Sequence, residues 1–197
     1  LQGDTRAAIA SYERALRANP NNLWATLHLT SLLLDTQREA DFYRYSEQLY
    51  QHLPNHEQVR LFYAITLTQQ NKLAAAEKLL SKKSQHPATQ LLLARIYYSQ
   101  QRYQEAERVG QAVLAAHPDD IQARTLLAAT ALKNVQPKKA ITLLEPFVSD
   151  ITEDVRLVLM LGTAYVLDKQ RDEGLRWLAR AETLKQEQQP EICLLYT

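Results

Sequence analysis

The chain is poor in the residues that bend, cross-link or arm a protein. Its 197 residues include four glycines and a single cysteine, Cys193. One cysteine excludes an intramolecular disulfide and any cysteine-cluster zinc site. Four scattered glycines cannot build a phosphate cradle, and neither GxGxxG nor GxxxxGK[ST] occurs. HExxH, an acidic calcium loop and GxSxG are absent as well. Twenty-three basic residues stand against twenty-two acidic ones, without the charge excess of a large nucleic-acid footprint. The most apolar run, Val155 to Leu167, is 13 residues long and carries Arg156 near its start. A membrane span needs about 20, so this run reads as a helix buried between neighbours. The opening residues, LQGD, show no signal-peptide pattern, and no Gly/Ser linker divides the chain.

What is present is helical periodicity. From Leu93 to Asp120 the apolar residues recur three and four apart, in two segments broken at Gln100-Gln101-Arg102. Leu93, Ala94 and Tyr97 share one face of the first segment, and Ala106, Val113 and Leu114 can meet it from the second. A turn that short joins antiparallel helices. Such a hairpin keeps a second apolar side, which must stack on similar units.

Those units recur. Small residues stand at Ala8, Ala76, Ala106, Ala140 and Gly174, with Phe42 in the series; the spacing is 34 except for 30 between Ala76 and Ala106. Twelve residues before the last five positions stand Thr30, Ala64, Ala94, Ala128 and Gly162, each preceded by Leu or Tyr. A period of 34 with small residues at two fixed points predicts stacked helix hairpins. Phe42 interrupts the series, and Ala40 is the expected substitute after a local shift. The shortened interval removes about one helical turn, expected between Lys82 and Thr89.

The pattern resembles the tetratricopeptide repeat. Leu161-Gly162-x-x-Tyr165 matches the first half of its motif, Leu93-Ala94-x-x-Tyr97 matches with Ala for Gly, and Ala8, Tyr12, Ala15 and Pro20 match the second half. The early Trp of the motif is missing; Thr26, Arg60, Gln90, Arg124 and Val158 hold its place. The resemblance implies an all-α, right-handed α-solenoid of antiparallel hairpins. About five full repeats follow a leading half repeat, in one domain over residues 1–197. An unpaired helix near Asp4, its expected N-cap, and the apolar EICLLYT at the other end suggest a fragment of a longer array, able to self-associate through its ends.

The other chemistry-bearing residues have helix-end explanations. His52, His86 and His117 precede Pro54, Pro87 and Pro118, where an imidazole can face the negative end of a second-type helix. His28 and His56 stand alone. Asp119-Asp120 and Glu153-Asp154 read as N-caps. No catalytic residue, metal site or cofactor is assigned, and the chain reads as a non-enzyme.

By analogy with the family, first-type helices line the inner surface. The residues so placed and assigned to partner contact are Trp24, Leu27, Leu61, Ile65, Leu91, Arg95, Tyr98 and Arg156, with Arg95 and Tyr98 foremost. The Lys and Asn of the family's carboxylate-clamp subset are absent from this surface. The implied function is a scaffold binding a protein or peptide with apolar anchors and an acidic group, in the cytoplasm or a bacterial envelope or secretion assembly. The alternatives are a helical-repeat nucleic-acid binder, since pentatricopeptide arrays share nearly this period, or an accessory region of a larger enzyme.

Overall fold

The computed structural model describes residues 2–34, 36, 38–80, 84, 86–149 and 153–187. They form eleven α-helices and one 3-10 turn, with no strand among them. The chain falls into two compact units, Leu1–Ile96 and Tyr97–Thr197.

The first unit holds α1 (Gln2–Ala18), α2 (Leu23–Leu33), α3 (Glu39–His52), α4 (Glu57–Gln69), α5 (Leu73–Leu80) and most of α6 (Pro87–Ser99). Helices adjacent in sequence pack together from α1 through α5. Ile9, Leu16, Leu29, Leu33, Phe42, Leu49, Val59 and Phe62 form a buried core there. Between hairpins the chain turns through Asn19-Pro20-Asn21-Asn22 and Leu53-Pro54-Asn55-His56, each closed by a bond from the last N–H to the first carbonyl. Proline's fixed φ suits the second position of such a turn.

The second unit holds α7 (Tyr103–Ala116), α8 (Ile121–Lys133), α9 (Pro137–Leu144), α10 (Val155–Leu167) and α11 (Arg171–Glu187). Leu144, Leu157, Val158, Leu161, Tyr165, Trp177 and Leu184 are central to its core. Pro137 is tolerated at the start of α9, whereas Pro146 falls in the 3-10 turn Glu145–Phe147 that ends it.

The small-residue series is the buried skeleton of both units. Ala64, Ala76, Ala94, Ala106, Ala128, Ala140 and Thr30 are wholly enclosed, and Gly162 and Gly174 are buried. Four expectations need correction. Asp4 lies inside α1, not at its cap, because the helix already starts at Gln2. Ala40 is exposed while Phe42 is buried, so no local shift occurs; Phe42 packs edge-on against Phe62, with centroids 5.8 Å apart. Pro87 opens α6, so the helix already runs through the end of the stretch, up to Thr89, in which the missing turn was expected. His86 therefore precedes a first-type helix and does not end a second-type one. The expected short stretch falls where α5 is described only to Leu80, and residues 81–83 lie outside the described residues, as does EICLLYT.

Within hairpins the turns repeat one conformation. Asn71, Gln101, Val135 and Lys169 take φ of 58°, 62°, 55° and 67°. The next residue's N–H reaches back five residues, as in Lys72 to Leu67 O (2.8 Å) and Gln136 to Ala131 O (2.8 Å). This is the left-handed helix end that glycine usually occupies, here without glycine.

Candidate functional site

First-type helices owe their starts to different devices. Asn22 Oδ1 accepts from Ala25 N–H at 3.0 Å to start α2. Asp120 Oδ1 accepts from Gln122 and Ala123 N–H at 2.9 Å to start α8, and Asp154 Oδ1 from Arg156 N–H at 2.9 Å to start α10. Such side-chain caps satisfy N–H groups that the helix itself cannot. At α4 the capping position is His56, which makes no such bond. At α6 the preceding residue is His86, whose N–H donates to Ser84 Oγ at 3.2 Å.

These two helix starts border one groove in the first unit. It has a volume of about 610 Å³ and is lined by Ser31, Leu34, His56, Glu57, Gln58, Leu61, Phe62, His86 and Thr89. Of these, Leu61 is among the residues that the family resemblance assigns to the inner surface. Glu57 bonds the hydroxyl of Ser84, and that oxygen accepts from His86 N–H at 3.2 Å. Thr89 is 3% exposed, and its Oγ1 is buried with no hydrogen-bond partner among the described residues.

The expected contact residues sit as follows. In the first unit Trp24 is 62% exposed and touches two other rings, Tyr12 at 5.7 Å and His28 at 4.2 Å between centroids. Leu27 and Ile65 are half-buried against the core, and Leu61 lines the groove. Leu91 is 7% exposed and packs in the interior, so it presents little surface. Arg95 is exposed. In the second unit Tyr98 is half-buried edge-on against Tyr103, with centroids 5.5 Å apart. Arg156 is exposed and pairs with Asp154 at 3.1 Å. The same contact, aided by backbone N–H groups of α10, holds the Asp154 carboxyl below its usual range. Arg156 thus shares its charge with a cap.

The groove residues His56, His86 and Thr89 were not readable as site residues. A histidine before a helix has no motif, and only the fold of the first unit brings the starts of α4 and α6 to one groove. No group of three or more potential metal-ligating side chains occurs among the described residues, and no helix of those residues is long and apolar enough to cross a membrane.

Comparison with known proteins bears on the whole fold. Tetratricopeptide-repeat family profiles match residues 2–54 and residues 80–130, together more than half the chain. The chain belongs to the tetratricopeptide repeat superfamily. As a tetratricopeptide repeat protein it has an all-α solenoid fold, and several solved structures resemble it. One is PilW, a widely conserved type IV pilus biogenesis factor, with 18% identity and a TM-score of 0.77 over 92% of this chain and 86% of PilW. Another is MamA (residue 41 to the end) from Desulfovibrio magneticus RS-1, with 18% identity and a TM-score of 0.69 over 86% of this chain and 98% of that one. A third is a tetratricopeptide repeat protein from Parabacteroides merdae, with 17% identity and a TM-score of 0.68 over 93% and 73%. No curated protein sequence matches. Repeats of this superfamily serve in general as scaffolds for protein–protein interaction.

Proposed function

We propose that this chain is a non-catalytic scaffold that binds a segment of a partner protein along the face of its first-type helices. The observation that carries this reading is the groove of about 610 Å³ in the first unit, walled by α2, α4 and α6 through Ser31, Leu34, Gln58, Leu61 and Thr89. Its lining combines apolar Leu34, Leu61 and Phe62 with polar Ser31, Glu57 and Gln58, which suits a peptide more than a small apolar ligand. Trp24 and Arg95 on the same unit, and Tyr98 and Arg156 on the other, are the remaining contact residues of the proposal. Aromatic and arginine side chains commonly dominate interface energies. A bacterial envelope or secretion assembly is the setting we assign; the role of PilW in type IV pilus biogenesis lends it support, although the likeness is one of fold.

The test is affinity capture from the source organism with the wild-type chain and with a Trp24→Ala, Leu61→Ala variant, partners being identified by mass spectrometry. A partner retained by wild type and lost by a variant with unchanged circular dichroism supports the reading. The same partners held equally by both chains would place the contact on another face.

A further inference from the structure

We propose that the hairpin-turn edge of the second unit is a separate contact surface. There Val135 and the lysines of the two adjacent turns take an acidic segment of a partner protein that also carries an apolar side chain. The surface is distinct from the groove of the first unit.

Val135 is 78% exposed, more than any other large apolar side chain of the described residues, and it holds φ 55°. A β-branched residue is strained in that region. The matching turns use Asn71, Gln101 and Lys169, so the turn itself does not call for an apolar side chain. Residues held in unfavourable backbone regions gather where a protein binds. Val135 also lines a cleft of about 390 Å³ together with Gln136, Pro137, Lys138, Lys139 and Asp168. The turn between α8 and α9 and the turn between α10 and α11 therefore form one surface. Val135 and Pro137 supply its apolar part, and Leu167, next to Asp168 in the chain, is exposed as well.

Charge sets the sign of the occupant. Residues 133–139 and 168–170 hold Lys133, Lys138, Lys139 and Lys169 against a single acid, Asp168. Lys139 is paired with Glu107 of α7. Lys133, Lys138 and Lys169 have no ion pair among the described residues. Asp168 accepts from Gln170 Nε2 at 2.8 Å. On α11, Arg171 and Arg176 balance Asp172 and Glu173, and Glu173 lies 3.4 Å from Arg176. Three unpaired lysines thus stand against one aspartate, and acidic side chains complement them. A peptide can set its apolar side chain against Val135 and Pro137 and its acids over the lysines. A phosphate backbone gains nothing from an exposed valine.

The test selects ligands for the full chain from a random peptide library displayed on phage. Selected peptides are then measured on two variants: Val135→Asn with Lys138→Glu at the turn edge, and Trp24→Ala with Leu61→Ala on the first unit. Expected is a class with Asp or Glu beside Leu, Ile, Val or Phe, kept by the first-unit variant and lost by the turn variant. Such a peptide should bind Val135→Asn alone about tenfold more weakly, the scale of one buried aliphatic side chain. Its affinity should fall as salt is raised. Asparagine is the residue of the matching turn at Asn71, so Val135→Asn should unfold no more easily than wild type. Weaker binding at undiminished stability separates a contact from a structural role. If no selected peptide loses affinity for the turn variant, or if those that do carry no acid, the proposal falls. Peptides lost only by the first-unit variant would then still uphold the groove. A single-stranded oligonucleotide released by Lys138→Glu would give the surface to nucleic acid, and a dimer dispersed by Val135→Asn would give it to a second copy; either overturns the proposal.

Discussion

Two places in the molecule occupy the same point of the repeat and fill it in opposite ways. In the second unit, α10 meets α11 through Gly162 and Gly174. A Cβ on Gly174 would stand 2.5 Å from Val166 Cγ2 and 2.9 Å from the Val166 backbone nitrogen. The two backbones approach as closely as they do because neither position carries a side chain. In the first unit the equivalent pair is Thr30 and Phe42. There Phe42 carries a ring that packs edge-on against Phe62 of α4, with centroids 5.8 Å apart, and one turn on Ser46 and Thr66 of the same α3–α4 pair bring buried hydroxyl oxygens to 2.7 Å. The same point of the repeat thus serves a backbone approach within a hairpin in one unit and a side-chain contact with the next hairpin in the other.

Breaking the comparison from the ring side should have the larger effect. Phe42→Ala leaves a cavity between α3 and α4 and should cost about 3–5 kcal/mol, read from urea unfolding. A loss under about 1 kcal/mol would mean that the aromatic packing against Phe62 contributes little. From the glycine side, Gly174→Ala forces backbone against backbone and should cost about 1–3 kcal/mol despite the better helix propensity of alanine. Gly110→Ala is the control. The three atoms nearest a Cβ there all belong to the Leu127 side chain, with its closest methyl at 3.0 Å, and no backbone atom is among them. It should leave stability nearly unchanged, and equal losses at the two glycines would refute the backbone argument.

Tyr165 sharpens the account of α10. Its hydroxyl donates to Glu145 at 2.6 Å, and burial, then that bond and the carboxylate's charge, push its pKa up to about 12 from the ordinary 10.0. The folded state thus favours the neutral phenol. Its contribution is whole below pH 10 and is lost as pH rises through about 12. Tyr165→Phe should lower stability at neutral pH by about 1 kcal/mol and flatten the decline in that alkaline window. An unchanged alkaline profile would contradict the assignment.

The smallest expected effect is a gain. Val135 holds φ 55° and is 78% exposed, whereas the matching turns use Asn71, Gln101 and Lys169. A β-branched residue is strained in that region. Val135→Gly should stabilise the second unit by about 0.5–1 kcal/mol, and Gln101→Gly should gain less. A destabilised Val135→Gly protein would show that the valine side chain makes up for its backbone.

The period of the small residues carried the fold, because a stacked hairpin tolerates little beside Ala or Gly where backbones approach. Asp120 and Asp154 were legible as caps, since a short acid before an apolar run has one ordinary use. Phe42 was not, because its fit depends on Phe62 and on the Ser46–Thr66 bond, which lie on neighbouring turns and another helix. The groove was legible only in part. Leu61 follows from repeat position, whereas His56 and His86 reach the groove only because two helix starts border it.

The threonines of the first-type helices carry a consequence for how the chain reaches its structure. Thr26, Thr30, Thr68, Thr125, Thr130 and Thr163 each bond the carbonyl four residues earlier. A hydroxyl satisfied by its own helix asks nothing of the helix beside it. Among the side-chain bonds that do leave a helix, Ser46–Thr66 and Tyr165–Glu145 span 20 residues, Ser84–Glu57 spans 27 and Lys139–Glu107 spans 32. None of these exceeds one repeat of sequence. Contact order is correspondingly low, so ordering can start at any hairpin and spread stepwise to the next, without waiting for the chain ends to meet.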